Sequence, residues 1–326
     1  MALFLALAFS IAHAAELWVA PGGDDANPGT RELPLATPAK ALRKGRELRR
    51  LNDVSVSDGV RIVLRGGRYA LTEPLFIRPE DSGTATAPTV FAAAVGEKPV
   101  LRGGVTISGW KKISGDGRGL PAGARGQVWT ADAPQFNGRI AEFRQLWING
   151  HKAVRARTPN SGTMERLTAW DRAKQEAWIP ATITLPTKID GVEMEILQMW
   201  EIAVLRLKSH DTEGDRTRIT FQEPESRIEF EHPWPQPVIG GGFGNSPFFL
   251  VNSLEFLDEP GEWFEDMKAG MVYYWPRAGE DLAHADVVAP TLETLVEISG
   301  SSDRPITHVV FDGIGFAYST WLRPSV

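Results

Sequence analysis

The chain has no cysteine in 326 residues. That excludes disulfides, thiolate nucleophiles and cysteine-ligated metal, and leaves stability to an apolar core, for which 42% hydrophobic residues are ample. Tyrosine is scarce, 4 against 11 tryptophans. Indoles stack on sugar rings but equally fill cores and rims, so the excess by itself assigns nothing. No excess of positive charge exists either: the formal net charge is -6 and Lys and Arg are scattered, which argues against nucleic acid as a partner. Long apolar runs are missing after residue 14, so no membrane span is expected. The early run Ala2 to Phe9 is too short to span, and it closes on Ala12-His13-Ala14, a small-x-small pattern suited to signal peptidase. Residues 1–14 are read as a signal peptide, and the mature protein as secreted or periplasmic.

What is there is mostly strand signal. Ala289 to Trp321 carries two short β-branched runs, Thr294 to Ile298 and Thr307 to Phe311, separated by Gly300 to Pro305 and followed across Asp312-Gly313 by Ile314-Gly315-Phe316. The same texture occurs upstream at Arg61 to Leu64, Pro74 to Ile77, Pro88 to Ala93 and Pro99 to Ile107, with corners at Gly66-Gly67, Asp81 to Thr84 and Gly96. Strands this short, with turn residues and no helices between them, fit a solenoid of stacked coils; a β-sandwich is the alternative. Thr37-Pro38 opens a basic helix with Ala41, Gly45, Leu48 and Leu51 on one face, placed to cap the first coil. Residues 15–107 are therefore assigned to cap and first coils, 108–284 to an inserted β-rich, sandwich-like domain, and 285–326 to a return of the solenoid. The insertion contains a Gly-rich link from Gly115 to Gly126, an Asn149-Gly150 hairpin signal, and a loop through His232-Pro233-Trp234-Pro235 and Gly240-Gly241-Gly242 that could rim a cleft.

Acidic residues give few site candidates. Asp24, Asp25 and Asn27 lack the spacing of a calcium loop and are read as Asx turns; no metal or cofactor is expected. Glu80-Asp81 is read as a solvated pair in a turn.

Four stretches together resemble a family: Asn149 to Asn160 (NGHKAVRARTPN), Phe256 to Phe264, Val272 to Arg277, and Phe311 to Trp321 (FDGIGFAYSTW). They are similar to the N-terminal half of bacterial right-handed parallel β-helix proteins related to glycoside hydrolase family 141, a group resembling α-L-fucosidases and xylanases. The resemblance implies an all-β fold and secreted breakdown of plant or algal polysaccharide. It also implies that the catalytic acids sit on later coils, so the catalytic residues are unknown within these 326 and the chain alone is expected to be inactive. Hydrolysis needs two carboxyls about 5 to 9.5 Å apart, and no pair is nominated. Glu262, Glu265-Asp266, Glu201 and His232 are read as surface or structural. Tyr318 and Trp321, which follow a coil strand, are the candidate substrate-binding residues. A polysaccharide lyase on the same fold and a non-catalytic carbohydrate-binding protein are the competing readings; fold alone does not choose.

Overall fold

Val60 to Leu64 is apolar and mostly β-branched apart from Arg61, with Val63 buried on one face and Val60, Ile62 and Leu64 on the other. In the computed structural model, which describes residues 14–322 except 115, 116, 118, 161, 163 and 234, it pairs on both edges. Residues 1–13 of the signal segment, Gly115 and Trp234 lie outside the described residues. The ordered elements are predominantly strands, and the chain divides into two units: Met1–Gly104 with Leu292–Thr320, and Val105–Thr291 with Trp321–Val326. No helix among the described residues is long and apolar enough to cross a membrane.

The first unit begins with β1 (Ala15–Val19), α1 (Pro38–Arg50), β2 (Val60–Leu64), β3 (Gly67–Ala70), β4 (Leu75–Ile77), β5 (Thr89–Ala93) and β6 (Pro99–Arg102). Every strand pair in it is parallel. β1, β2, β5 and the strand Val309–Asp312 form one sheet. A second sheet contains β3, β6 and Gly315–Ala317, and a third contains β4 and Val296–Ile298. From β2 onward the chain therefore visits the three sheets in one repeated order. Register aligns like with like: Leu17, Ile62, Phe91 and Phe311 form one row, and Tyr69, Leu101 and Phe316 another. The Phe91 and Phe311 rings stack with centroids 4.8 Å apart. Leu17, Ile62, Phe91, Phe311, Tyr69 and Leu101 meet with Leu75 and Ile77 in one core, to which α1 adds Ala41 and Leu42, while Phe316 at the end of its row is 46% exposed. β3 was not expected: Tyr69 is its one buried side chain, its hydroxyl donating to the carbonyls of Val19 and Arg65.

Helix α1 starts as its sequence indicates, with extended Thr37 accepting the Lys40 amide and Pro38 in the first turn. Asp25 fastens this start, accepting the amides of Ala36 and Thr37 and the Thr37 hydroxyl. Asp24 and Asn27 likewise bond within their loop, to the Ala26 amide and the Pro34 carbonyl. The buried face differs from the expected one. It is Pro38, Ala41, Leu42 and Gly45, an i, i+3, i+4, i+7 stripe, whereas Leu51 is the C-cap and 60% exposed. Gly45 is needed for close approach, since a Cβ there would lie 3.0 Å from a Val60 methyl.

The Glu80-Asp81 turn is also corrected. Asp81 is fully buried, held by Arg46 through Nε at 2.6 Å and Nη2 at 2.7 Å and by the Arg78 amide at 2.7 Å. Only Glu80 stays exposed, paired with Arg304. The basic face of α1 supplies the partner, Arg46, that draws Asp81 in.

The second unit is built mainly from antiparallel strands. Its largest sheet runs Arg157–Thr158, Pro247–Val251, Glu193–Leu197, Ile202–Glu213, Arg216–Phe221, Glu176–Pro180 and Ala169–Asp171. A five-stranded sheet joins Val154–Arg155, Glu262–Asp266, Met271–Tyr274, Trp129–Asp132 and Lys111–Lys112. A third contains His151–Lys152, Trp147–Ile148, Val287–Pro290 and β7 (Gly104–Thr106). Asn149 and Gly150 form the hairpin tip with φ of 49° and 82°, the left-handed pair that a two-residue turn requires. A short helix, α2 (Glu225–Glu231), was not legible: its single fully apolar anchor is Phe230, stacked on Trp170 at 3.9 Å.

Candidate functional site

The strand Glu193–Leu197 alternates as EMEIL. Met194 and Ile196 point into the core, which leaves Glu193 and Glu195 on the opposite face, about 6.7 Å apart along the strand. Their surroundings push them apart. Burial alone would raise the Glu193 pKa, but Arg155 and Arg144 outweigh it and hold the carboxyl below its ordinary value. Arg144 reaches the two Glu193 oxygens at 2.8 and 2.5 Å, and Arg155 Nη1 bonds to one of them at 2.8 Å. Glu195 is raised, chiefly by burial.

Such a divergent pair can mark an acid and a base. Here Glu193 is not free for that role, since both its oxygens are taken by arginine and it does not line the adjoining cavity. That cavity, of about 320 Å³, lies within the second unit and is lined by Arg144, Lys152, Arg155, Arg157, Glu195 and Trp321, among others. Its volume is at the small end for ligand clefts, about 300 to 1,000 Å³. Glu195 is the single carboxyl in the lining, so the cavity does not supply the two carboxyls of a glycosidase. Arg144 also lies over the Trp321 ring, 5.0 Å from its centroid, and Arg157 over Phe249 at 4.4 Å.

Of the two sequence candidates for substrate contact, Trp321 is 47% exposed and lines this cavity. Tyr318 belongs to the first unit, half-buried with φ of 60°. The carboxylates set aside from sequence fall elsewhere. Glu262 is buried and accepts the amides of Asp258, Glu259 and Arg157, and burial lifts it to about 7. Glu265, raised to about 8 by burial, has one oxygen 3.5 Å from the Phe143 amide and the other without a partner. Asp266 closes a turn on the Lys268 and Ala269 amides, while Glu201 and His232 are exposed. No group of three or more acidic, His or Cys side chains among the described residues could hold a metal ion.

The arginines were missed from sequence. The usable signal was Arg155-Ala156-Arg157, where alternation about a buried Ala156 puts both cations on one face.

Residues 126–277 match the family model described as the GH141 insertion domain. A solved structure described as a glycoside hydrolase is 45% identical with TM-score 0.88, covering 95% of this chain and 52% of its own. Pectate lyase PEL9 of Emericella nidulans is 30% identical over 170 residues, which is 51% of this chain and 35% of that protein. A third match, a structure of XylC with xylose, reaches a TM-score of only 0.39 at 16% identity. The chain thus spans about half, or less, of the length of these matched proteins.

Proposed function

We propose that this chain is part of a carbohydrate-active enzyme, a glycoside hydrolase acting on plant or algal polysaccharide in the manner of a fucosidase or xylanase. The observation that carries the reading is the likeness to a glycoside hydrolase across 95% of the chain at 45% identity. In this reading the three parallel sheets of the first unit are the opening coils of a right-handed parallel β-helix, with α1 as its cap. The second unit contributes a binding surface, and hydrolysis falls to carboxyls outside the residues described here. Trp321 is the sugar-contacting aromatic. The location proposed is outside the cytoplasm, which rests on the Ala2 to Ala14 segment; mass spectrometry of exported protein should find Ala15 at the N-terminus.

A lyase reading has one specific support, the pectate lyase likeness. It would call for a cluster of cation-binding carboxylates, and the described residues contain none. Product analysis separates the two. Xylan, fucosylated oligosaccharide and polygalacturonate are incubated with protein extended to the length of its relatives. New reducing ends without ultraviolet absorbance indicate hydrolysis, while an absorbing, unsaturated product would overturn it in favour of the lyase. In the 326-residue chain, Trp321→Ala is expected to weaken oligosaccharide binding about tenfold, the value of losing one stacked aromatic; unchanged affinity would remove Trp321 from the site.

A further inference from the structure

The cavity beside Trp321 concentrates positive charge. Four cationic side chains, Arg144, Lys152, Arg155 and Arg157, face one carboxyl, Glu195. Counting Glu193 behind the wall leaves four cations against two carboxyls, a surplus of two. Glu193 spends its charge holding two guanidinium groups in place: Arg144 through both oxygens and Arg155 through one. Arg155 keeps a buried Nε with no hydrogen-bond partner, and Lys152 is exposed at the rim. A cation surplus concentrated in a cleft, on a chain whose net charge is -6, raises the local concentration of small anions and does not favour a polyanionic duplex.

We propose that this cavity is a subsite for an acidic sugar residue, with a uronic acid carboxylate received by Arg155, Arg157 and Lys152 and the ring set beside Trp321. The planar guanidinium fork matches a carboxylate, and fixing it from behind by Glu193 removes the side-chain ordering that binding would otherwise cost. The half-exposed indole offers an apolar face to the ring. The inference rests on the carbohydrate reading above and narrows it to acidic glycans or acidic branches.

The test titrates the 326-residue chain calorimetrically with a galacturonic acid trisaccharide, the matched galactose trisaccharide, and the same neutral sugar bearing a sulfate ester. The uronic acid ligand is expected to bind at least about tenfold more tightly than the neutral one, and added salt should erode that difference alone. Arg157→Gln should lower acidic-ligand affinity about tenfold and Lys152→Ala about threefold, with neutral-sugar affinity unmoved. Lys152 is exposed and its loss leaves the core intact, so this variant reads the site even if the arginine variant folds poorly. Equal binding of neutral and acidic ligands, or acidic binding indifferent to Lys152→Ala and to salt, overturns the inference while leaving the carbohydrate reading in place. Preference for the sulfate ester over the carboxylate overturns the uronic acid assignment. Absence of binding by all three ligands overturns the inference and the binding role of the second unit together.

Discussion

Glu265→Gln is expected to stabilise the second unit by about 3 to 5 kcal/mol at pH 8 and to change it little at pH 4.5. The Glu265 carboxyl is 7% exposed, lacks a partner on one oxygen, and is raised by burial from 4.5 to about 8. Below pH 4.5 both folded and unfolded chains carry the proton, and the group costs nothing. As pH climbs towards 8 the unfolded chain releases its proton while the folded chain retains it, so stability falls by about 1.4 kcal/mol per pH unit. Above 8 the loss is complete. Glu262 and Glu229, each raised to about 7 chiefly by burial, act in the same direction over a shorter window. Carboxyls held low, such as Glu193 between its arginines, contribute stability that is lost only as pH drops below the ordinary carboxylate range. Urea unfolding at several pH values checks this. The wild-type midpoint should fall between pH 5 and 8 and the variant's should fall less; a wild type that is more stable at pH 8 than at pH 5 would rule the account out.

Asp81→Ala is expected to cost the first unit about 3 to 5 kcal/mol, whereas Glu80→Ala next to it should cost less than about 1. The two carboxylates are neighbours in sequence and opposites in setting. Asp81 is wholly buried and takes bonds from Arg46 and the Arg78 amide, and its own carbonyl accepts the Thr89 hydroxyl at 2.5 Å. Removing it takes both carboxylate bonds from the Arg46 guanidinium, which keeps only the Phe76 carbonyl, and uncovers the Arg78 amide. Glu80 pairs with Arg304 across an exposed surface, where both groups regain water if separated. Denaturant midpoints of the two variants give the comparison directly, and equal losses would mean that the Arg46 to Asp81 pair does not anchor the helix.

Strand positions in the first unit were legible because each run concentrates β-branched and aromatic residues at the inward register. Leu17, Ile62, Phe91 and Phe311 stand in runs recognisable one by one, and the structure adds that they form a single row. Gly67–Ala70 escaped because one tyrosine carries its whole inward face. The stripe on α1 was misplaced by treating Leu51 as helical when the helix had already ended, and Leu42 was the residue overlooked. In the second unit many strands are only two residues long, below any periodicity that sequence can show. The candidate site was illegible for a related reason. Arg144, the 152–157 segment, Glu195 and Trp321 come from positions far apart in the chain, the 157–158 strand and Glu193–Leu197 meeting only through Pro247–Val251, and nothing local to any of them announces the others. Glu193 in particular reads from sequence as the polar position of an alternating strand; its arginine partners lie 38 and 49 residues away.

The entry and exit of the second unit are fastened twice. Within the first unit, the Leu292 amide donates to the Gly103 carbonyl at 2.9 Å. Within the second, β7 pairs with Val287–Pro290, and the Ile107 amide donates to the Val287 carbonyl at 2.9 Å. Between Gly103 and Leu292 lie 188 residues (292 - 103 - 1), and closing so long a flexible loop costs about 4.6 kcal/mol by the logarithmic length dependence alone. A folding order follows. If the intervening residues collapse first, their own sheet brings the two ends together, and Val296–Ile298 meets β4 as though joined to β6 by a short turn. If they do not, the third parallel sheet must assemble against the full chain entropy of that loop, slowly and with its apolar edge open to other chains.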